Sequence, residues 1–195
     1  LLWLFRIDPN KKVAAMTENE LLTIVEVSHE EGVIESEERE MINNVVDFGD
    51  SLARDIMVPR IDMDFVEDTV NFDELVAAFE ENMYTRLPVY HETRDNVVGI
   101  VNLKDVFFYK GSKEDFRIED FLREPYFTYE YKKTSELLRE MRKESIALAI
   151  VLDEYGATAG LVTVEDLIEE IVGEIRDEYD EDEEVNEEEI YEENK

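Results

Sequence analysis

Apolar positions recur at helical spacing over residues 16–57. Thr17-Glu18-Asn19-Glu20 has the S/T-x-x-E form of a capping box and opens a helix with Leu21, Leu22, Ile24, Val25 and Val27 as its apolar positions. Gly32 breaks that helix. A second starts at Ser36, carries Met41, Ile42, Val45 and Val46 on one face, and stops at Gly49. A short third segment, Ser51 to Met57, precedes Pro59. The link between the first two helices lacks the D-x-[DN]-x-[DN]-G ligand order, which removes a helix–loop–helix calcium site.

Beyond Pro59 the pattern becomes an internal repeat. Asp55-Ile56-Met57 before Pro59 corresponds to Asp120-Phe121-Leu122 before Pro125. An extended segment near Phe65-Val66 corresponds to one at Phe127–Tyr129, and helix Asp73–Met83 to helix Ser135–Lys143. Leu87-Pro88-Val89-Tyr90 matches Leu148-Ala149-Ile150-Val151, and Val97–Val101 matches Thr158–Val162. Each half closes with a helix, Asn102–Val106 against Thr163–Leu167, and from Gly99 onward the offset is a constant 61 residues. Each half therefore reads strand, helix, strand, strand, helix. A unit of about 55 residues buries too little surface to be securely stable alone. Two of them, packed sheet against sheet through a pseudo-twofold, make one α/β (α+β) body behind a short acidic helical segment. The pairing predicts a cleft between the halves, where ligands sit.

Charge sets the outer boundaries. Lys plus Arg is 20 and Asp plus Glu is 52, so the net charge is −32. A field of that sign repels nucleic acid and anionic lipid. Residues 174–195 alone hold 13 acids and 2 bases, which predicts a disordered acidic tail or linker. The divisions are 1–50 (helical segment), 51–112 and 113–175 (first and second repeats), and 176–195 (tail). There is no Cys, and His29 and His91 are the two histidines, so disulfides, thiolate catalysis and a histidine-rich metal site are excluded. The motifs of serine hydrolases, Walker-type ATPases and dinucleotide-binding enzymes are missing, which argues against an enzyme. The apolar opening Leu1–Ile7 is far shorter than the roughly 20 residues that span a bilayer. It reads either as a helix end that packs on the domain or as a remnant beyond a membrane segment.

Thr163-Val164-Glu165-Asp166 holds the candidate chemistry. A Thr that begins a helix offers its hydroxyl, nearby amides and the positive helix end to an anion. Asp166, one turn on, can accept from both hydroxyls of a ribose. The same T-x-x-D spacing is also a variant capping box, and the two roles can coexist. The first copy, Asn102 and Asp105, is the weaker candidate, and helix capping alone accounts for it. The segment facing it, Arg123-Glu124-Pro125, brings a carboxylate near any phosphate.

The repeat, with its Gly-h-h-[Thr/Ser]-x-x-Asp ending, resembles the CBS domain, and two in tandem resemble a CBS pair (Bateman module). Asp55-Ile56-Met57-Val58-Pro59-Arg60, Tyr84-Thr85-Arg86-Leu87-Pro88-Val89 and the run from Leu152-Asp153-Glu154-Tyr155-Gly156 through Gly160 to Ile175 are similar to the CorC/HlyC hemolysin-related family, bacterial relatives of the cyclin-M magnesium transporters. The resemblance implies a larger parent, with a transmembrane domain before the acidic helices and often a FAD-binding-like domain after the pair. It places this chain at the cytoplasmic face of the plasma membrane as a regulatory module linked to magnesium or cobalt transport. It implies an adenine nucleotide as ligand, ATP or AMP, with Mg²⁺ favoured for ATP because the protein is so acidic. It completes the Asp166 site with residues 58–64 and the Tyr84-Thr85-Arg86 turn, with Arg86 on the phosphates. Relatives often carry a hydroxyl where this chain has Val58, and Arg60 is the residue to compensate. Asp62 and Asp64 form a further carboxylate pair, placed in solvent as easily as in the site. The chain is expected to form a homodimer. The alternative reading is a structural dimerisation module with an empty cleft.

Overall fold

A computed structural model describes residues 16–173, and the apolar opening and the acidic tail lie outside the described residues. The chain divides into two compact units, one up to Asp47 and one from Phe48.

The first unit is a helical hairpin, α1 (Glu18–Glu30) and α2 (Ser36–Phe48). The capping box at the start of α1 forms in full: Thr17 Oγ1 accepts from Glu20 N and Glu20 Oε2 accepts from Thr17 N, at 3.3 and 2.7 Å. Those bonds hold the Glu20 carboxyl below its ordinary pKa. Arg39 joins the two helices through Glu26 at 3.1 Å. Leu21, Ile24, Val27, Met41 and Val45 stay exposed on the hairpin, so its amphipathic faces are only partly covered.

The second unit begins with α3 (Ala53–Ile56) and β1 (Val58–Pro59). The first repeat continues as β2 (Val66–Glu67), α4 (Phe72–Asn82), β3 (Arg86–Tyr90), β4 (Val97–Asn102) and α5 (Leu103–Phe107). The second follows as β5 (Tyr126–Tyr129), α6 (Thr134–Glu144), β6 (Leu148–Leu152), β7 (Thr158–Thr163) and α7 (Val164–Val172), with 3₁₀ turns at Arg60–Asp62, Lys113–Asp115 and Ile118–Phe121. In each repeat the first strand runs parallel to the second across the intervening helix, and the second and third strands form an antiparallel pair. The helices α4 and α6 end identically, on Met83 and Ser145 in the left-handed region at φ 56° and 57°. This reverses the chain into β3 and β6.

Alternation along the strands divides the interior into three apolar clusters. Val89 and Val101 face Leu75 and Phe79 of α4. Ala149, Val151 and Val162 face Leu137 and Met141 of α6 and Leu167 of α7. Ile100, Leu148 and Ile150 meet Met63 and Val97 between the two sheets. Strand β6 is thus covered on both faces, which explains its unbroken apolar run.

The linear boundaries between the repeats are not the boundaries in space. Strand β1 pairs antiparallel with β7 of the other repeat, Val58 opposite Leu161 and Pro59 opposite Gly160. Ala53 of α3 is fully buried in that repeat's core. In return, Arg123 bridges Ile100 of β4, and Phe116 and Ile118 complete the core of the first repeat. Each repeat finishes its sheet and core with the lead-in of its partner. The periodicity could not show this, because it records spacing along the chain and not pairing across it.

At the far end of β3 from Arg86, His91 Nδ1 lies 2.7 Å from Asp68 Oδ2. That hydrogen bond, with the Asp68 charge, raises the pKa of His91. A raised folded pKa gives stability that is fully present below the unfolded value of about 6.5 and is lost as pH rises through the folded value. Melting curves of His91→Ala should therefore fall below wild type at pH 5.5 and converge with it at pH 9. Parallel offsets at both pH values would overturn this.

Candidate functional site

In both repeats the third strand runs straight into the closing helix. The N-cap of α7 is Thr163: its Oγ1 accepts from Asp166 N at 3.2 Å, while Asp166 Oδ2 accepts from Thr163 N at 2.7 Å. The capping box is formed, yet neither group is used up by it. The hydroxyl keeps its own O–H as a donor, and the carboxylate keeps a second oxygen. Both side chains are half-buried.

They line a cleft of about 320 Å³ to which both repeats contribute. Val58, Tyr84, Thr85 and Arg86 line it too, so six of the seven residues expected around Asp166 converge there. Val58 and Leu161 supply an apolar wall. Among the described residues no carboxylate lies within ion-pair distance of Arg86, whose one polar contact is Nη1 to Thr85 Oγ1 at 3.4 Å. Its guanidinium is therefore free to meet an anion.

Arg60 is the exception. Its guanidinium is paired with Asp95 at 2.6 and 3.1 Å, and it is not part of the cleft wall. A carboxylate 35 positions away holds it, and local sequence gave no sign of that partner. Asp62 and Asp64, by contrast, do line the cleft. Its ionisable wall is then Arg86 against Asp62, Asp64, Glu165 and Asp166.

A second cleft, of about 810 Å³, surrounds the first-copy residues Asn102 and Asp105. The clefts share Thr85, Arg86, Leu148 and Glu165. Here the expectation of simple capping fails. Asn102 makes no side-chain cap bond to α5 and instead donates Nδ2 to Asp105 Oδ2 at 3.2 Å. The same oxygen accepts from Arg123 Nε at 3.1 Å and Nη2 at 2.7 Å. The Arg123 bonds first, and Asn102 second, hold the Asp105 carboxyl below its usual range. In Arg123-Glu124-Pro125 it is Arg123, and not the neighbouring Glu124, that engages Asp105. The signal was the repeat register: Val58 pairs with Leu161, Arg123 with Ile100, and those partners are 61 residues apart.

Two sheets facing each other, reciprocal lead-ins and paired clefts define a tandem CBS pair. The family description "CBS domain" matches residues 53–111 and 118–173. The magnesium and cobalt efflux protein CorC of Vibrio cholerae is 39% identical over 84% of this chain and 57% of its own length. The chain thus spans about half the length of that relative. Among solved structures, the CBS domain of a bacterial CNNM/CorC family Mg²⁺ transporter is 39% identical, with TM-score 0.78 over 83% of this chain and 99% of the other. A CBS domain of such a transporter in complex with ATP is 41% identical, with TM-score 0.68 over 71% and 99%. A CBS-domain pair with bound AMP from Klebsiella pneumoniae is 27% identical, with TM-score 0.56 over 63% and 98%. This chain belongs to the CBS-domain family, as a pair of the CNNM/CorC type.

Proposed function

We propose that the chain is a non-enzymatic regulatory module that binds an adenine nucleotide in the Thr163–Asp166 cleft on behalf of a membrane protein that moves Mg²⁺ or Co²⁺. The observation that carries this is the convergence, in one cleft, of a ribose-accepting carboxylate, a helix N-terminus and an unpaired guanidinium. Asp166 takes the sugar hydroxyls on its second oxygen. Thr163 donates its O–H to phosphate at the positive end of α7, and Arg86 adds charge. The base lies against Val58 and Leu161. The ATP and AMP complexes of the related pairs support the ligand class, and the CorC relative supports the parent's role.

Four carboxylates to one guanidinium make a poor home for bare ATP. Mg²⁺ lowers the charge of the triphosphate and takes oxygen ligands. Among the described residues no three His, Cys, Asp or Glu side chains are grouped to hold a metal, so the cation would draw part of its shell from the nucleotide. Among them no helix is long and apolar enough to cross a membrane. The proposal places the chain beside a transmembrane domain of the same parent, at the cytoplasmic face. It also makes the chain a homodimer: Phe107 and Phe108 at the end of α5 and Ile168 and Val172 on α7 are exposed, and a symmetric partner would cover them.

Thermal shift tests this with ATP, AMP and S-adenosylmethionine, each with and without Mg²⁺. At a hundredfold excess over Kd a true ligand adds about 2.7 kcal/mol. ATP with Mg²⁺ should raise Tm most, and Mg²⁺ should change the AMP shift little. No shift with any nucleotide would leave the alternative, a structural dimerisation module. Light scattering of the same samples should give about twice the monomer mass.

A further inference from the structure

The two clefts invite a question of number: why one nucleotide and not two? Field and size both favour the cleft around Asp105. It is the larger, at about 810 against 320 Å³. Its ionisable wall is Arg86, Lys104 and Arg123 against Asp105, Glu124 and Glu165, so the charges balance, whereas the Asp166 cleft is strongly acidic. An anion choosing by electrostatics alone would go to the first cleft.

The pseudo-symmetry breaks against it at one pair of positions. Opposite Leu161 stands Val58, and opposite Ile100, the repeat equivalent of Leu161, stands Arg123. The lead-in therefore presents an isopropyl group to the Asp166 cleft and a guanidinium to the other. A ribose would reach Asp105 with two O–H donors. Arg123 already directs two N–H donors, at 3.1 and 2.7 Å, onto Asp105 Oδ2; Oδ1 takes neither bond, so what stands against a ribose is the bulk and charge of the guanidinium over the carboxylate and not a shortage of acceptors.

We infer that Arg123 is a built-in occupant of the first cleft: its guanidinium stands on Asp105 where a nucleoside's paired hydroxyls would stand, and this sets the count at one nucleotide per chain. The inference rests on the reading of Asp166 as the ribose acceptor. Arg123 is a specificity-determining residue, and Val58 is its permissive counterpart. Exchange of the two side chains should exchange the properties of the clefts.

The test is calorimetric titration of the 195-residue chain with ATP and Mg²⁺. Arg123→Val, which copies Val58, should bind one more equivalent than wild type, two against one. The Arg123 side chain is 63% exposed, so the fold should tolerate the change, and Arg123→Gln, which keeps bulk and loses charge, gives a second count. Val58→Arg should weaken binding at the Asp166 cleft at least tenfold. A count in Arg123→Val and Arg123→Gln no higher than wild type overturns the inference. If the wild type binds nothing, the nucleotide reading of the Asp166 cleft fails separately, and one equivalent or none in Arg123→Val still decides the role of Arg123.

Discussion

Asp166→Asn should lose about tenfold to hundredfold in affinity for ATP with Mg²⁺, the cost of a charge-assisted hydrogen bond worth roughly 1.5–3 kcal/mol. The unliganded protein should melt almost where the wild type does. Asn can still accept from Thr163 N, the bond that Asp166 Oδ2 makes at 2.7 Å, so most of the cap survives. Asp105→Asn is the repeat-equivalent change and should leave affinity unaltered, because the Arg123 guanidinium on Asp105 Oδ2 already occupies the space over that carboxylate. Calorimetry on the three proteins separates the outcomes. Equal losses in both variants would mean two working clefts, and no loss in Asp166→Asn would reduce that residue to a helix cap.

The second large effect is structural and falls on Gly160. A Cβ there would lie 2.5 Å from the carbonyl oxygen of Val58 and 2.7 Å from Met57 Sδ, and the first of these is backbone. Strand β1 can approach β7 only because this residue has no side chain. Gly160→Ala should destabilise the fold by about 1–3 kcal/mol, the usual range for overpacking. It should also weaken nucleotide binding, since the strand it displaces carries Val58 into the cleft. Gly99, 61 residues earlier, meets the Leu122 side chain, at 2.9 Å from its Cβ, an atom that moves only with its own backbone. Gly99→Ala should therefore also cost stability, but less than Gly160→Ala, whose Cβ comes closer and meets a carbonyl oxygen. Urea unfolding of both variants checks this, and equal losses would contradict it.

Much of this fold was legible because its information is local or periodic. Thr17–Glu20 and Thr163–Asp166 are capping boxes within one turn, and both form. The constant 61-residue offset carried the strand–helix–strand–strand–helix order, and with it the sheet-against-sheet body. What stayed hidden depends on partners distant in sequence. Arg60 looks like a phosphate ligand in the sequence because nothing nearby shows that Asp95 claims it. Asn102 looks like a cap in the sequence because spacing reveals a candidate acceptor but not its competitors. The role of Arg123 is hidden for the same reason: the alignment of the lead-ins sets it against Val58, but spacing does not show that it reaches Asp105.

The reciprocal lead-ins have a consequence for the order in which the protein is made. Val58 and Pro59 leave the ribosome about a hundred residues before their partners Leu161 and Gly160. At about 5–20 residues per second that is a wait of some 5–20 s. During it the first repeat can assemble β2, β3 and β4, yet β1 has no strand to join and Ala53 no core to enter. Contacts of such long sequence separation slow folding, because loop closure must come before they form. The nascent chain therefore carries an apolar, unpaired strand until β7 emerges, and within the pair of repeats the Asp166 cleft is built last.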